Sequence, residues 1–494
     1  MYKPYRLFYL FIIYLLTNFL ACKDDFENYS TNPQNHLSFS VDTLSFDTVL
    51  TTVNSPVLAF RVYNKNSKPL FISSVQLAEG ANSVFKINVD GRTGSVFENV
   101  EILAKDSLLV LVNVKPKENG QYTPTIFTDY VIFETNGVQQ KVVLEAYGQD
   151  VCTLRGAIFS EDSVLDNQKP YLIYDSIVIE RGVTVEIKEG SVFYMYNNAQ
   201  LIVRGTIKIK GSLEKPVIFR GSRTDYMITI PYDLIPGQWG GIYFDPESYD
   251  NEMENVRIRN GKYGMYLDVS DDPSRSKLYM KNVVLTNVHG TLLQAVNCNI
   301  TAENCEFSNS RNVLLDLTGG SSRFTHCTIV NYYPFNKEKG WLESKNEIII
   351  LADSVFNVDT GTNEYYPVIS AEFYNSIIWG AKSTSTSAVR VSNSKIPCLF
   401  KNCLIPNDKL DESQIVDCVF RAVDSLLFQQ NPNKLVKDDS WYPAFDFRLR
   451  KDSPVKDIAN FEIASQLPYD LNGFYRFTDG LPDLGAYEYY EEEE

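Results

Sequence analysis

Two different patterns of apolar and polar residues follow one another along this chain. From Leu37 to about Asp150 short runs alternate with period two, among them "LSFSVDTLSFDTVL", "VLAFRVYN", "SLLVLVNVKP" and "YVIFETNGVQQKVVLEAYG". Such alternation predicts strands that bury one face, and Asn136-Gly137 between two runs predicts a tight hairpin, because both residues tolerate positive φ. Several strands in so short a segment predict a β-sandwich over residues 38–150. After Cys152 the runs shorten, and glycines at 182, 190, 205, 211 and 221 cut them at near-regular intervals. Strands this short, without helical spacing, predict the coils of a solenoid.

A repeat supports that reading. Blocks starting at Asn255, Asn282, Asn304, His326, Asp353, Asn375, Asn402 and Asp424 are spaced by 22 or 27 residues. Three places into each block stand Ile258, Leu285, Phe307, Ile329, Phe356, Ile378, Ile405 and Leu427, all apolar. One place in stand Val256, Val283, Cys305, Cys327, Ser354, Ser376, Cys403 and Ser425, all small or β-branched. On a strand these two columns share one face, so both are expected inward, with the block start and the residues two and four places on facing out. Asn260, Asn287, Asn309, Asn331 and Asn407, five places in, are expected to bond amide to amide from coil to coil. A coil that cannot bury its own apolar face must stack on another, which predicts a right-handed parallel β-helix over residues 151–447 and a C-terminal cap with an acidic tail over 448–494. Cys305 and Cys327 fall in one inward column about 4.8 Å apart, too far for a disulfide, so unpaired core thiols are expected.

These blocks resemble the pectate-lyase-like β-helix superfold. The closing "YDLNGFYRFTDGLPDLGAYEY", through "DLNG", Arg476 and "PDLGAYE", resembles the end of bacterial surface β-helix proteins of the choice-of-anchor Q type. The 38–150 segment resembles immunoglobulin-like modules, although the Cys…Trp…Cys hallmark is missing. The expected fold is therefore all-β: an N-terminal Ig-like β-sandwich, a right-handed parallel β-helix and a cap. The superfold hosts lyases, hydrolases, adhesins and spacers, so activity has to be argued from a site.

The N-terminus speaks to location. "MYKPYRLFYLFIIYLLTNFLAC" has two cations, an apolar run from Leu7 to Leu20, then Ala21 before Cys22. Fourteen residues at about 1.5 Å each fall short of a bilayer core of roughly 30 Å, which favours a signal peptide over residues 1–21. The cysteine after it resembles the lipobox of bacterial lipoproteins, with Cys22 lipidated, and "KDD" at 23–25 resembles a tether to the outer face of the outer membrane. Residues 22–37 are expected to be that tether. The formal charge of −16 shows no basic footprint and argues against nucleic acid as a partner.

No HExxH, P-loop, GxSxG or GxGxxG motif is present, and nothing in the sequence calls for a metal or cofactor. Any chemistry must converge across coils. In the start column His326 is expected between Asn304 and Asp353, with Glu306 diagonal within about 8 Å. The imidazole would be a general base and Asp353 its orienting partner, while Arg257 and Arg259 two to three coils lower would clamp an acidic sugar. The competing reading is that a column of Asn, His and Asp caps strands. In the late coils Val355, Ile377, Leu404, Leu426, Trp379 and Phe428 make the outer face apolar. It is expected to be covered by "YYPFNKEKGWLES" or "SWYPAFDFRL", or else to stack sugar on Trp379. The expected function is non-catalytic binding of polysaccharide or another surface glycan by an outer-membrane lipoprotein. Alternatives are a polysaccharide lyase or glycoside hydrolase on the outer face, and a structural spacer.

Overall fold

The computed structural model describes residues 29–227, 230–333, 347–358, 360–380, 388–406, 410–430 and 445–491. Cys22, the apolar run at 7–20, Asn407 and most of the "YYPFNKEKGWLES" insertion lie outside these residues. The chain forms two compact units, residues 1–150 and 151–494.

The first unit is a sandwich of two five-stranded sheets. One runs Ser38–Phe39, Leu58–Tyr63, Ser107–Val114, Phe85–Val89, Arg92–Gly94; the other Thr43–Leu50, Val138–Gln149, Thr125–Thr135, Leu70–Leu77, Val96–Ile102. Inward residues such as Phe60, Val62, Ile72, Val110, Phe133 and Leu144 meet in one core. The Asn136-Gly137 hairpin forms as read, with φ of 53° and 75°. The pairing is mostly antiparallel, but Thr43–Leu50 runs parallel to Val138–Gln149. The end of the expected tether is part of this unit rather than free: Ser30 donates to the Pro69 carbonyl, and the Leu37 amide donates to Gln140 Oε1 at 2.9 Å.

The second unit is a parallel β-helix whose 24 described strands pair from coil to coil in stacked parallel sheets, joined where bent strands such as Asn251–Arg259 and Leu278–Val288 belong to two of them. Its coils step by the expected spacing: Val256 pairs with Val283, Leu285 with Phe307 and Phe307 with Ile329. The inward columns fill one core, in which Phe324, Phe373 and Phe400 stack at 5.0 and 4.7 Å and Tyr171, Phe193 and Phe219 at 4.8 and 4.6 Å. Cys305 and Cys327 are buried free thiols.

One block is not a coil. Ile329 pairs directly with Ile378, 49 positions on, so a single long coil spans two sequence repeats. The block at Asp353 leaves the stack as a hairpin, Ser354–Asn357 with Thr362–Tyr365, and Phe356 stands 59% exposed. The excursion measures one repeat of 22 plus one of 27, so the spacing pattern could not reveal it. The last block also differs. Asp424–Leu427 is a helical turn, and Leu427 joins a separate core with Trp379, Leu404, Phe447, Leu471 and Leu484. That second core covers the apolar outer face of the late coils. The C-terminal segment expected as a cap therefore packs along the side of the late coils. Part of "SWYPAFDFRL" takes part, through Asp446–Leu449 paired to Phe428–Gln430.

Candidate functional site

The corner geometry explains the block starts. Asn255, Asn282, Asn304, His326, Asn375 and Asn402 have φ between 47° and 55°. Left-handed backbone is costly for most residues, and Asn and His are among the side chains that tolerate it best, so the column records a bend required in every coil. It is not an outward column. Asn255, Asn304, His326 and Asn375 are buried. No continuous amide ladder forms: in this column Asn282 Nδ2 donates to Asn255 Oδ1 at 3.1 Å, but Asn304 Nδ2 in the next coil donates to the Tyr469 carbonyl at 2.7 Å. Asn260 and Asn331, in the other column, donate to the carbonyls of Asp233 and Ser310.

His326 is completely buried. Asn375 Nδ2 lies 2.9 Å from its Nε2, and its Nδ1 lies 3.2 Å from the Gly485 carbonyl. The amide donates to one nitrogen and the other donates to the carbonyl, so both are occupied in the neutral ring. Burial, and then the charge of Arg476, hold its pKa well below the ordinary imidazole value. Asp353 is not above it. Asn375 is, and Asp353 accepts from Asn393 Nδ2 at 2.6 Å at the base of the hairpin. Glu306 is buried as well, accepting from Ser308 Oγ at 2.6 Å and from the Tyr487 hydroxyl, and burial raises its pKa. The expected catalytic trio of His326, Asp353 and Glu306 is thus not assembled, and its histidine has no open side.

The expected binding residues are also engaged within the protein. Arg259 Nε donates to Asp233 at 2.6 Å, and Arg257 donates to the Asn282 carbonyl at 2.9 Å. Trp379, 1% exposed, lies in the second core and presents no stacking surface.

The C-terminal motif is the clasp of that core. Arg476, buried on every side, pairs with Glu488 at 3.1 Å and donates to Asn304 Oδ1 at 3.0 Å and the Gly485 carbonyl at 3.2 Å. Asp470 Oδ2 accepts from the Glu488 amide at 2.8 Å, and Asp483 Oδ2 from the Tyr489 amide at 2.7 Å. Burial raises the pKa of Glu488, Asp483 and Asp470 and lowers that of Arg476. Gly485 has φ of +88°, and a Cβ there would sit 2.7 Å from Thr328 Oγ1 and 2.8 Å from Ile377 Cδ1. "PDLGAYE" is therefore read by the coils themselves. Tyr487 and Glu488, expected in a solvated acidic tail, are buried.

What remains at the surface is the outer face of a different sheet. Tyr243, Tyr266, Gln294 and Asp316 form one outward column, set by the pairings of Gly241–Phe244, Met265–Leu267, Leu293–Val296 and Leu315–Thr318. All four are half-buried. The two tyrosine rings lie 5.7 Å apart and both hydroxyls donate to Asp268, at 2.6 and 3.2 Å. Burial and that carboxylate raise both phenol pKa values, so the hydroxyls stay protonated donors. Three strand steps give a polar and aromatic strip about 14 Å long. Its signal in the sequence was the tyrosine between inward residues in "GIYF" and "MYL". The repeat columns that begin at Asn255 fall on one strand of each coil, and this strip lies on another.

Residues 144–331 match a protein-family model described as a right-handed β-helix region. No curated protein matches the chain. Among solved structures, the ASH/PapD-like domain 7 of human CEP192 is similar at 10% identity over 26% of this chain and 94% of that one, with a TM-score of 0.17. The periplasmic chaperone SfaE is similar at 13% identity, 23% and 58% coverage and a TM-score of 0.17. A family 123 glycoside hydrolase from Clostridium perfringens is similar at 9% identity, 26% and 30% coverage and a TM-score of 0.18. The chain thus spans under a third of that hydrolase and under two thirds of that chaperone. The architecture is an N-terminal β-sandwich followed by a right-handed β-helix region.

Proposed function

We propose that the protein is a surface lipoprotein, anchored through Cys22, that binds glycan without cleaving it, along the strip of Tyr243, Tyr266, Gln294 and Asp316. The observation that carries the reading is the pair of ring faces on adjacent coils sharing Asp268, with an amide and a carboxylate continuing the same line. Aromatic faces take the C–H side of a sugar ring, and amide and carboxylate oxygens take its hydroxyls. The buried, doubly bonded His326 removes the base on which the lyase alternative stood.

The test is titration of the full-length protein with a panel of neutral oligosaccharides, followed by heat release, with product analysis after long incubation. Binding that drops about 10-fold or more in Tyr266→Ala, with no new reducing or unsaturated ends, is the expected outcome. Release of cleaved product would replace binding by catalysis. Absence of any retained glycan would leave the spacer reading. The anchor is tested separately: Cys22→Ser is expected to move the protein out of the membrane fraction.

A further inference from the structure

We propose that the corner joining two sheets of the early coils is a binding site for an anionic substituent, a carboxylate or sulfate ester, on the glycan bound along the Tyr243–Tyr266 strip. The inference rests on the glycan reading for its ligand, but its geometry is independent of that strip. Seven places into three successive blocks stand Lys262, His289 and Arg311, spaced 27 and 22 residues like the coils themselves. Stacked coils rise about 4.8 Å each, so the three side chains line one edge over about 10 Å. They border a cleft of about 520 Å³ with Tyr263, Asn312 and Gly237.

The corner is built rather than frayed. The His289 amide donates to the Gly261 carbonyl at 3.0 Å, and the Gly290 amide donates to the Lys262 carbonyl. A Cβ at Gly290 would meet the Tyr263 ring at 2.6 Å, so the absence of a side chain there lets that ring lie against the turn above it. Tyr263 remains 59% exposed, offering a ring face beside the cations. Arg311 Nη1 stands 3.3 Å from His289 Nε2, and Lys262 Nζ donates to Asn198 Oδ1. Among the described residues no carboxylate pairs with either cation, whereas Arg220, Arg259, Arg275 and Arg323 are all matched to acids. In a chain of net charge −16, two unneutralised cations around one cleft form a local exception. Screening over about 8 Å lets that local field prevail over the distant charge.

The groups facing His289 are Arg311 from the turn above, Lys262 from the turn below and the ring of Tyr263. Burial and those two cations hold its pKa below the ordinary value, so it is neutral when the cleft is empty. An entering anion reverses that balance and favours the imidazolium, giving a third positive charge. Binding of an acidic ligand is therefore linked to proton uptake and tightens as pH falls.

The experiment uses the full-length protein with isotope-labelled histidine, titrated with an oligo-uronate hexamer, its carboxyl-reduced neutral counterpart and a sulfated hexamer. The expected result is a shift of the His289 ring signals with the charged hexamers alone. Their affinity should be about 10-fold above the neutral one at pH 6 and weaker at pH 8. Lys262→Gln with Arg311→Gln should erase that preference. If the pair disturbs folding, His289→Gln alone should abolish the pH dependence. Equal binding of all three hexamers, unchanged in the variants, would overturn the corner and leave the glycan reading intact. Binding of the charged hexamers alone, with the His289 shift, would support the corner and remove the neutral strip. No binding and no shift would overturn both.

Discussion

The early and late coils of this solenoid use the same inward columns and opposite outward ones. Around Ile258 the outer positions carry Arg257 and Arg259 and, on the next sheet, Tyr266, with Gln294 one coil on, while Val284 beside Leu285 already packs against the second core. Around Ile378 and Ile405 they carry Ile377, Trp379 and Leu404, and the chain spends its C-terminal segment covering them. The inner repeat therefore specifies only that coils stack. What the outer face does is decided residue by residue, and an apolar outer column in a repeat protein first asks which part of the same chain returns to it.

The contrast can be broken most forcefully at Trp379. Trp379→Ala should cost about 3–5 kcal/mol in chemical denaturation, lost from the late coils, while hydrogen exchange in the early coils stays unchanged. Arg476→Met comes next, at roughly 3 kcal/mol, because it leaves the Glu488 carboxyl, Asn304 Oδ1 and the Gly485 carbonyl buried without their donor. That cost should grow as pH rises through about 9, the value to which burial pushes Glu488, where the carboxyl turns charged with no cation beside it. In the native protein the raised pKa values of Glu488 and Asp483 mean that the folded clasp binds protons more tightly than the unfolded chain. Their contribution is complete at acid pH and is lost as pH rises through the raised values. His326 acts in the other direction. Its folded pKa is depressed, so its contribution is present above the ordinary imidazole range and is lost as pH falls below about 6.5. His326→Asn restores the residue used at most other corners. It should lower stability by about 1 kcal/mol at neutral pH through the lost bond to Gly485, and flatten the acid limb of a stability–pH curve. The smallest effect is expected at the exposed corner: Tyr263→Ala should stay within about 0.5 kcal/mol of the parent while weakening glycan retention, a separation that no late-coil variant should show.

Much of this fold was legible in the sequence. Alternation gave the sandwich, and an apolar column at fixed offset gave the stack, because both reflect which face of a strand is dry. Three features were hidden, each for a physical reason. The Asp353 block has the right spacing and the right apolar residue in Phe356, yet it leaves the stack, because spacing cannot tell two coils from one coil twice as long. His326 stood out by rarity, but rarity does not report burial, and the returning segment that buries it is 159 residues away. The cations of the corner obeyed the block spacing all along. They stand just past the ends of the strands, in turns where apolar alternation carries no signal.

The long coil between Ile329 and Ile378 carries a practical lesson about tolerance. Hydrogen-bond register in this stack is kept by which strands meet, so added length at a bend leaves the interior unaware of it. The tip joining Asn357 to Thr362 is then a natural port for grafting: foreign peptide placed there would be displayed outward while the column beneath it keeps count.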